Sequence, residues 1–211
     1  MNKSVITPTG GVLQFAKAPV PGRVKTRMQP VLSPAQSQAL HEALCQHAAT
    51  QCSQAGEWRY RLCVTEPGHG FWPETLARYQ TWPQAEGDLG HRMAQAIGQA
   101  LGQGWRWVVV IGSDCPELDR ECIRAARDQL AAHDLVLAPA HDGGYALIAM
   151  TRPLPVFDGI DWGTEQVLAQ TLALADQRGL SVALLPTVSD IDRPEDLPLL
   201  GQWPALRQFV R

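Results

Sequence analysis

The sequence predicts a single α/β domain over residues 1–211, with a mostly parallel mixed sheet covered by helices on both faces. Three observations carry this expectation. Short apolar runs alternate with longer segments of helical periodicity, the pattern of successive β-α units. The run Trp107–Ile111 is apolar on both faces, as a strand in the middle of a parallel sheet is. The polar residues that draw attention fall in segments directly following strands, where open α/β sheets hold their ligands.

The first strand is Gly11–Ala16, which runs into the Pro- and Gly-containing loop Lys17–Pro30. Ser33 is the N-cap of a helix with Pro34 at its first position, the place where a missing backbone N–H costs nothing. Leu40, Ala43, Leu44 and Ala48 continue that helix at 3.6-residue spacing, and Gly56 is its expected stop. Tyr60–Thr65 is the second strand. Asp88 caps a helix reaching Gly102, Trp107–Ile111 is the third strand, and a helix over Asp119–His133 leads to a strand at Leu135–Pro139. After the turn Asp142-Gly143-Gly144 comes a strand at Tyr145–Met150, then a helix over Thr164–Arg178 and a strand at Val182–Leu185. Short helices at Pro194–Leu200 and at the C-terminus complete the pattern.

Composition narrows the class. A hydrophobic content of 45% and a charged content of 18% are globular values rather than those of a disordered chain. The longest apolar stretch near the middle, Val108–Ile111, is too short to span a bilayer, and Met1–Gly11 lacks the apolar core of a signal peptide, so a cytoplasmic protein without a membrane span is expected. The five cysteines form no C-x-x-C pair; the seven-residue spacings Cys45/Cys52 and Cys115/Cys122 read as packing positions on one side of a helix.

Charge is distributed unevenly. The net charge is −3, yet residues 1–41 carry three lysines, Arg23 and Arg27 with no Asp or Glu, leaving +5 there and −8 on the other 170 residues. So local a basic segment on an acidic body points to a small anionic ligand rather than to nucleic acid, which needs a broad basic surface. Four of the five cations lie in F-A-K-A-P-V-P-G-R-V-K-T-R (Phe15–Arg27). Lys17, Arg23, Lys25 and Arg27 sit in a segment stiffened by Pro19 and Pro21 and opened by Gly22, a combination suited to a polyphosphate; Lys3 reads as a solvated charge. Val24 before Lys25-Thr26 excludes a Walker loop.

Asp114 closes V-V-V-I-G-S-D-C-P, where a carboxylate at a strand's carboxyl end can hold Mg²⁺ or Mn²⁺ or simply shape a turn before Pro116. Asp88 either faces the ligand or caps its helix. Asp142 either serves an acceptor or belongs to its turn. Asp192 either pairs with Glu195 in a capping-box arrangement or supplies a second metal carboxylate. His91 and His141 lie in the same loops without an evident partner.

Taken in order, F-A-K-A-P-V-P-G-R-V-K-T-R, G-D-L-G-H-R-M, G-S-D-C-P-E-L, D-G-G-Y, F-D-G-I-D-W-G-T and D-I-D-R-P-E-D-L resemble one bacterial family, the rSAM/selenodomain-associated transferase 1 proteins. Those are similar to the Rossmann-like GT-A nucleotide-diphospho-sugar transferases, to molybdenum-cofactor nucleotidyltransferases and to 2-phospho-lactate guanylyltransferase. The resemblance covers Gly11 to Leu197. It implies a GT-A fold binding a nucleotide with a divalent cation, Mg²⁺ or Mn²⁺. Lys17, Arg23, Lys25 and Arg27 would meet phosphates, Asp88 the base or ribose, and Asp114 the metal with Asp192 assisting. Gly163 and His141 depart from the family pattern, both on the acceptor side.

The leading expectation is a metal-dependent transferase moving a glycosyl group from a nucleotide sugar to a small-molecule acceptor, Asp142 orienting or deprotonating its hydroxyl. Its closest rival is nucleotidyl transfer from NTP to a phosphorylated acceptor with release of pyrophosphate. A third is a non-catalytic nucleotide-binding module.

Overall fold

A computed structural model describes residues 9–29, 31–54 and 56–210. Lys3 lies outside the described residues. The strands are β1 (Gly11–Ala16), β2 (Arg59–Val64), β3 (Gln80–Pro83), β4 (Val108–Ile111), β5 (Leu135–Pro139), β6 (Tyr145–Met150) and β7 (Val182–Leu184). They form a seven-stranded sheet in the order β3-β2-β1-β4-β6-β5-β7. Strand β6 alone runs against its neighbours, pairing antiparallel with both β4 and β5, while the other pairings are parallel. The sheet is mixed and mostly parallel, as expected.

Among the described residues five α-helices pack on it: α1 (Pro34–Cys52), α2 (Phe71–Thr75), α3 (Leu89–Gly102), α4 (Arg120–Gln129) and α5 (Val167–Gln177). Helices α1 and α4 bury Cys45, Ala49, Cys52, Ile123 and Ala126 on one face, against Val12, Leu62 and Val109. Helices α3 and α5 cover the other through Met93, Ile97, Ala100 and Ala175, against Leu13, Cys63 and Val110. Strand side chains alternate between the two faces, so each strand feeds both cores and all four residues of β4 are buried. A smaller cluster joins Met28, Leu32, Leu40 and Leu44 to Ile191, Leu197 and Leu206. It fastens the first loop and the 3-10 helix Pro194–Gln202 to each other, beside the carboxyl ends of the central strands.

Local chemistry sets the boundaries. Ser33 and Gln36 close a reciprocal capping box at α1, and Asp88 accepts from His91 N to start α3. Helix α1 ends at Cys52 rather than near Gly56, because Ser53 is already extended. Helix α5 begins at Val167 rather than Thr164, since Thr164 turns its hydroxyl to Asp161 O and leaves Gln166 as cap. Cys115 lies in the loop after β4, so its spacing to Cys122 is not helical. The five cysteines are free, and Cys122 alone among them is not fully buried. No helix of the described residues is long and apolar enough to cross a membrane.

Candidate active site

The carboxyl ends of β1, β4 and β5 and the start of β6 surround a cavity of about 300 Å³. Its polar end carries four carboxylates, Asp114, Asp142, Asp190 and Asp192; its other end is walled by Phe15, Met93, Tyr145, Trp162 and Val167. No Lys, Arg or His among the described residues lines it. The basic loop lies beside the carboxylate end, on the β1 and β2 side.

That loop is tied down rather than free. Lys25 has a left-handed backbone (φ 50°) and a side chain only 2% exposed, which turns its ammonium inward. There Nζ donates to Ile191 O at 2.5 Å and lies 2.7 Å from Asp114 Oδ1 and 3.8 Å from Asp192 Oδ1. Arg27 pairs with Asp192 at 2.7 Å on the exposed side. Two expected phosphate cations are thus bound to the two expected metal carboxylates, and the basic and acidic parts of the chain meet as direct ion pairs. Lys17 and Arg23 remain exposed to solvent, Arg23 reaching Glu66 at 3.6 Å. Gly22 supplies the positive φ (77°) of the turn between them.

Asp114 is held from several sides. Burial pushes its carboxyl up, but Lys25, His41 and Lys17 together bring it below its ordinary value. Its side chain still keeps 46% of its surface open toward the cavity. His41, on α1, is buried with Nε2 3.0 Å from Lys17 O and Nδ1 3.9 Å from Asp114 Oδ1. Burial lowers its pKa, so the neutral ring is favoured. Below Asp114, Gln14 donates to Ser113 Oγ at 2.8 Å and to Cys45 O, and accepts from Tyr60 at 2.7 Å. Ser113 in turn donates to Phe15 O, which locks the β4 end to β1.

Asp190 lies on the cavity with its carboxyl raised, first by burial and then by Asp142, Asp192 and Asp196. No cation among the described residues lies within salt-bridge distance of Asp190 or Asp142. No three acidic, His or Cys side chains converge as a ready metal cage among those residues. An oxygen-only set in which two carboxylates, Asp142 and Asp190, have no cationic partner nevertheless suits a hard divalent cation that completes its coordination from substrate phosphates.

Two expectations change in detail. Asp88 is exposed, spends its Oδ1 on His91 N at 2.8 Å and is absent from the cavity wall, so the geometry shows a helix cap. Asp192 does not pair with Glu195; Asp196 accepts from both Asp192 N and Arg193 N. Asp142 reaches the cavity, with Oδ1 accepting from Gly144 N at 2.9 Å inside its own turn. Sequence reasoning missed His41, Asp190 and Trp162. The available signals were a histidine within the apolar stripe of α1 and a second aspartate in S-D-I-D.

Residues 31–164 match the family described as "Uncharacterized protein conserved in bacteria (DUF2064)". The chain belongs to the DUF2064 family. Among curated proteins, this DUF2064 chain is 31% identical to a phosphoenolpyruvate guanylyltransferase of Chloroflexus aggregans, over 88% of its own length and 90% of the relative's. It is 38% identical to a 3-phospho-D-glycerate guanylyltransferase of Phenylobacterium zucineum, over 48% of its length and 47% of that protein's. Among solved structures, one assigned as a nucleotide-diphospho-sugar transferase from Desulfovibrio desulfuricans G20 superposes with a TM-score of 0.81 at 30% identity, covering 94% and 87% of the two chains. A nucleotidyl transferase from Methanothermobacter shares the fold at a TM-score of 0.63, 13% identity and 95% and 97% coverage. The fold of the DUF2064 chain is that of the nucleotidyl and nucleotide-diphospho-sugar transferases, and these kinships make it a transferase.

Proposed function

We propose that this protein is a nucleotidyltransferase joining a nucleoside triphosphate, GTP in the first instance, to a phosphorylated small-molecule acceptor with release of pyrophosphate. The observation that carries the reading is a juxtaposition. A loop of four cations at the end of β1 abuts a cavity whose polar end is entirely carboxylate, so two anionic substrates can meet at Asp114 from opposite sides. The guanylyl chemistry named for both curated relatives supports nucleotidyl over glycosyl transfer, as does Asp142, whose carboxylate already serves its own turn. The six ordered motifs support placing the chain, within DUF2064, in the rSAM/selenodomain-associated transferase 1 group.

In this reading an acceptor phosphate oxygen attacks the α-phosphorus as the bond from that phosphorus to its bridging oxygen breaks. An ionised phosphate needs no general base. Lys17 and Arg23, exposed and not paired with Asp114 or Asp192, offset charge on the departing pyrophosphate. Lys25 acts through Asp114, fixing its Oδ1 while 46% of the Asp114 side chain stays exposed on the cavity wall. Asp114, Asp190 and Asp192 would hold Mg²⁺ or Mn²⁺, which would neutralise triphosphate charge.

Thermal unfolding against GTP, ATP, CTP and UTP, with and without Mg²⁺ or Mn²⁺, tests this. Ligand at a hundredfold its Kd stabilises by about 2.7 kcal/mol, a rise of roughly 5–10 °C for a domain of this size. The expected result is a cation-dependent rise with GTP and retained turnover in Asp142→Asn. Absence of a rise with every nucleotide would overturn the proposal.

A further inference from the structure

The aromatic end of the cavity has no role in holding a triphosphate, and it differs from what a compact polyanionic acceptor requires. A three-carbon phospho-acid has almost no apolar surface and two anionic groups, yet this end offers Phe15, Met93, Tyr145, Trp162 and Val167 with no cation. Leu89, at the rim, is 44% exposed despite its size. A concave, largely apolar wall beside a few convergent polar groups is the usual make-up of a small-molecule site.

Trp162 is the fixed centre of that wall. Its ring packs on Gly90 so closely that a Cβ there would lie 2.6 Å from it, which gives the second glycine of G-D-L-G a physical reason. Tyr145 meets it edge-on with centroids 6.4 Å apart, and Phe157 lies 6.4 Å away on another side. The indole is therefore clamped in place, half-buried, with part of its surface lining the cavity.

Sheet order says which substrate meets this wall. The basic loop follows β1, whose other neighbour is β2, whereas Tyr145, Trp162 and Val167 stand on β6, the segment leading to α5 and the start of α5; Phe15 at the end of β1 and Met93 on α3 complete the wall between the two sides. Asp114, at the end of β4, lies between the two sides. The triphosphate belongs with the cations on the β1 side, which leaves the β6 side to the acceptor.

Resting on the nucleotidyl reading above, we infer that the acceptor is a phosphomonoester with an apolar, ring-sized body, which Trp162 selects. Its phosphate would lie at the Asp114, Asp190 and Asp192 end and its body against the indole. The reaction joins that phosphate to the nucleoside monophosphate unit as a diphosphate, and pyrophosphate leaves.

The test is pyrophosphate release from GTP and Mg²⁺ with phenyl phosphate and 2-phenylethyl phosphate set against phosphoenolpyruvate and 3-phosphoglycerate, together with calorimetric binding of GTP and of each acceptor. Hydrophobic pockets discriminate by about 10- to 200-fold, so kcat/KM for the aryl phosphates should exceed that for the compact acids by about tenfold or more. Trp162→Ala should raise the aryl-phosphate KM by about tenfold and Trp162→Phe by less, with the Kd for GTP unchanged. Preference for the compact acids, or no binding of aryl phosphate to the GTP-loaded protein, would overturn the inference while leaving nucleotidyl transfer standing. A loss of GTP affinity in Trp162→Ala with an unchanged acceptor KM would assign the wall to the base instead. If no nucleotide binds at all, the nucleotidyl reading falls, and this one with it.

Discussion

Lys25→Met probes the contact that joins the basic loop to the carboxylates. Methionine keeps most of the buried stem and bears the same penalty for a left-handed backbone, so the comparison isolates the ammonium. Removing one partner of a fully buried ion pair costs about 3–5 kcal/mol. Here the Lys25 side chain is 2% exposed but that of Asp114 is 46% exposed, so water can re-solvate the carboxylate left behind. Screening of that kind reduces the expected loss to about 2 kcal/mol, or a fall in Tm of roughly 4–8 °C. The assay is thermal unfolding followed by circular dichroism at pH 7 for wild type, Lys25→Met, Asp114→Asn and the double variant. A coupling energy of at least about 1 kcal/mol between the two sites is expected. A Lys25→Met protein within about 0.5 kcal/mol of wild type, the range of ordinary surface changes, would refute the claim that this pair holds the loop.

Gly143→Ala should cost at least about 2 kcal/mol, because φ is +87° and a Cβ would lie 2.2 Å from Glu165 O; chemical denaturation measures it, with loss of activity as the turn shifts. Tyr60→Phe removes the donor to buried Gln14 Oε1 and should cost about 1–3 kcal/mol, read from the midpoint in urea. Burial lowers the pKa of His47, partly opposed by its bond to Pro116 O. Its neutral ring therefore stabilises the fold fully above the unfolded value of about 6.5, and that contribution is lost as pH falls toward the lowered folded value. Stability measured from pH 7.5 to pH 5 should fall less steeply in His47→Gln than in wild type.

The fold was legible wherever local and global signals agree. Strand β1, the Ser33-Pro34 and Asp88 caps, β5, β6 and the D-G-G turn all stand where hydrophobic pattern and cap chemistry place them. Edge strand β3 was not legible, since its side chains are mostly exposed and Pro83 ends it; α2 is a single short turn containing Pro73. The antiparallel course of β6 was also invisible, because an apolar strand reads alike in either direction. In the site, the loop cations and Asp114 could be named from charge and position. What those cations touch depends on Asp114, Ile191 and Asp192, which lie far along the chain, so Lys25 read as a free phosphate ligand. Asp190 and Trp162 were hidden for the same reason: only the folded sheet brings them beside Asp114.

Phosphorus NMR of the complete reaction tests the central claim most directly. With GTP, Mg²⁺ and a phosphorylated acceptor, the account predicts pyrophosphate together with a new diphosphate-linked nucleotide product in equal amount. Release of a nucleoside diphosphate from a nucleotide sugar, with no pyrophosphate formed from any triphosphate, would contradict it.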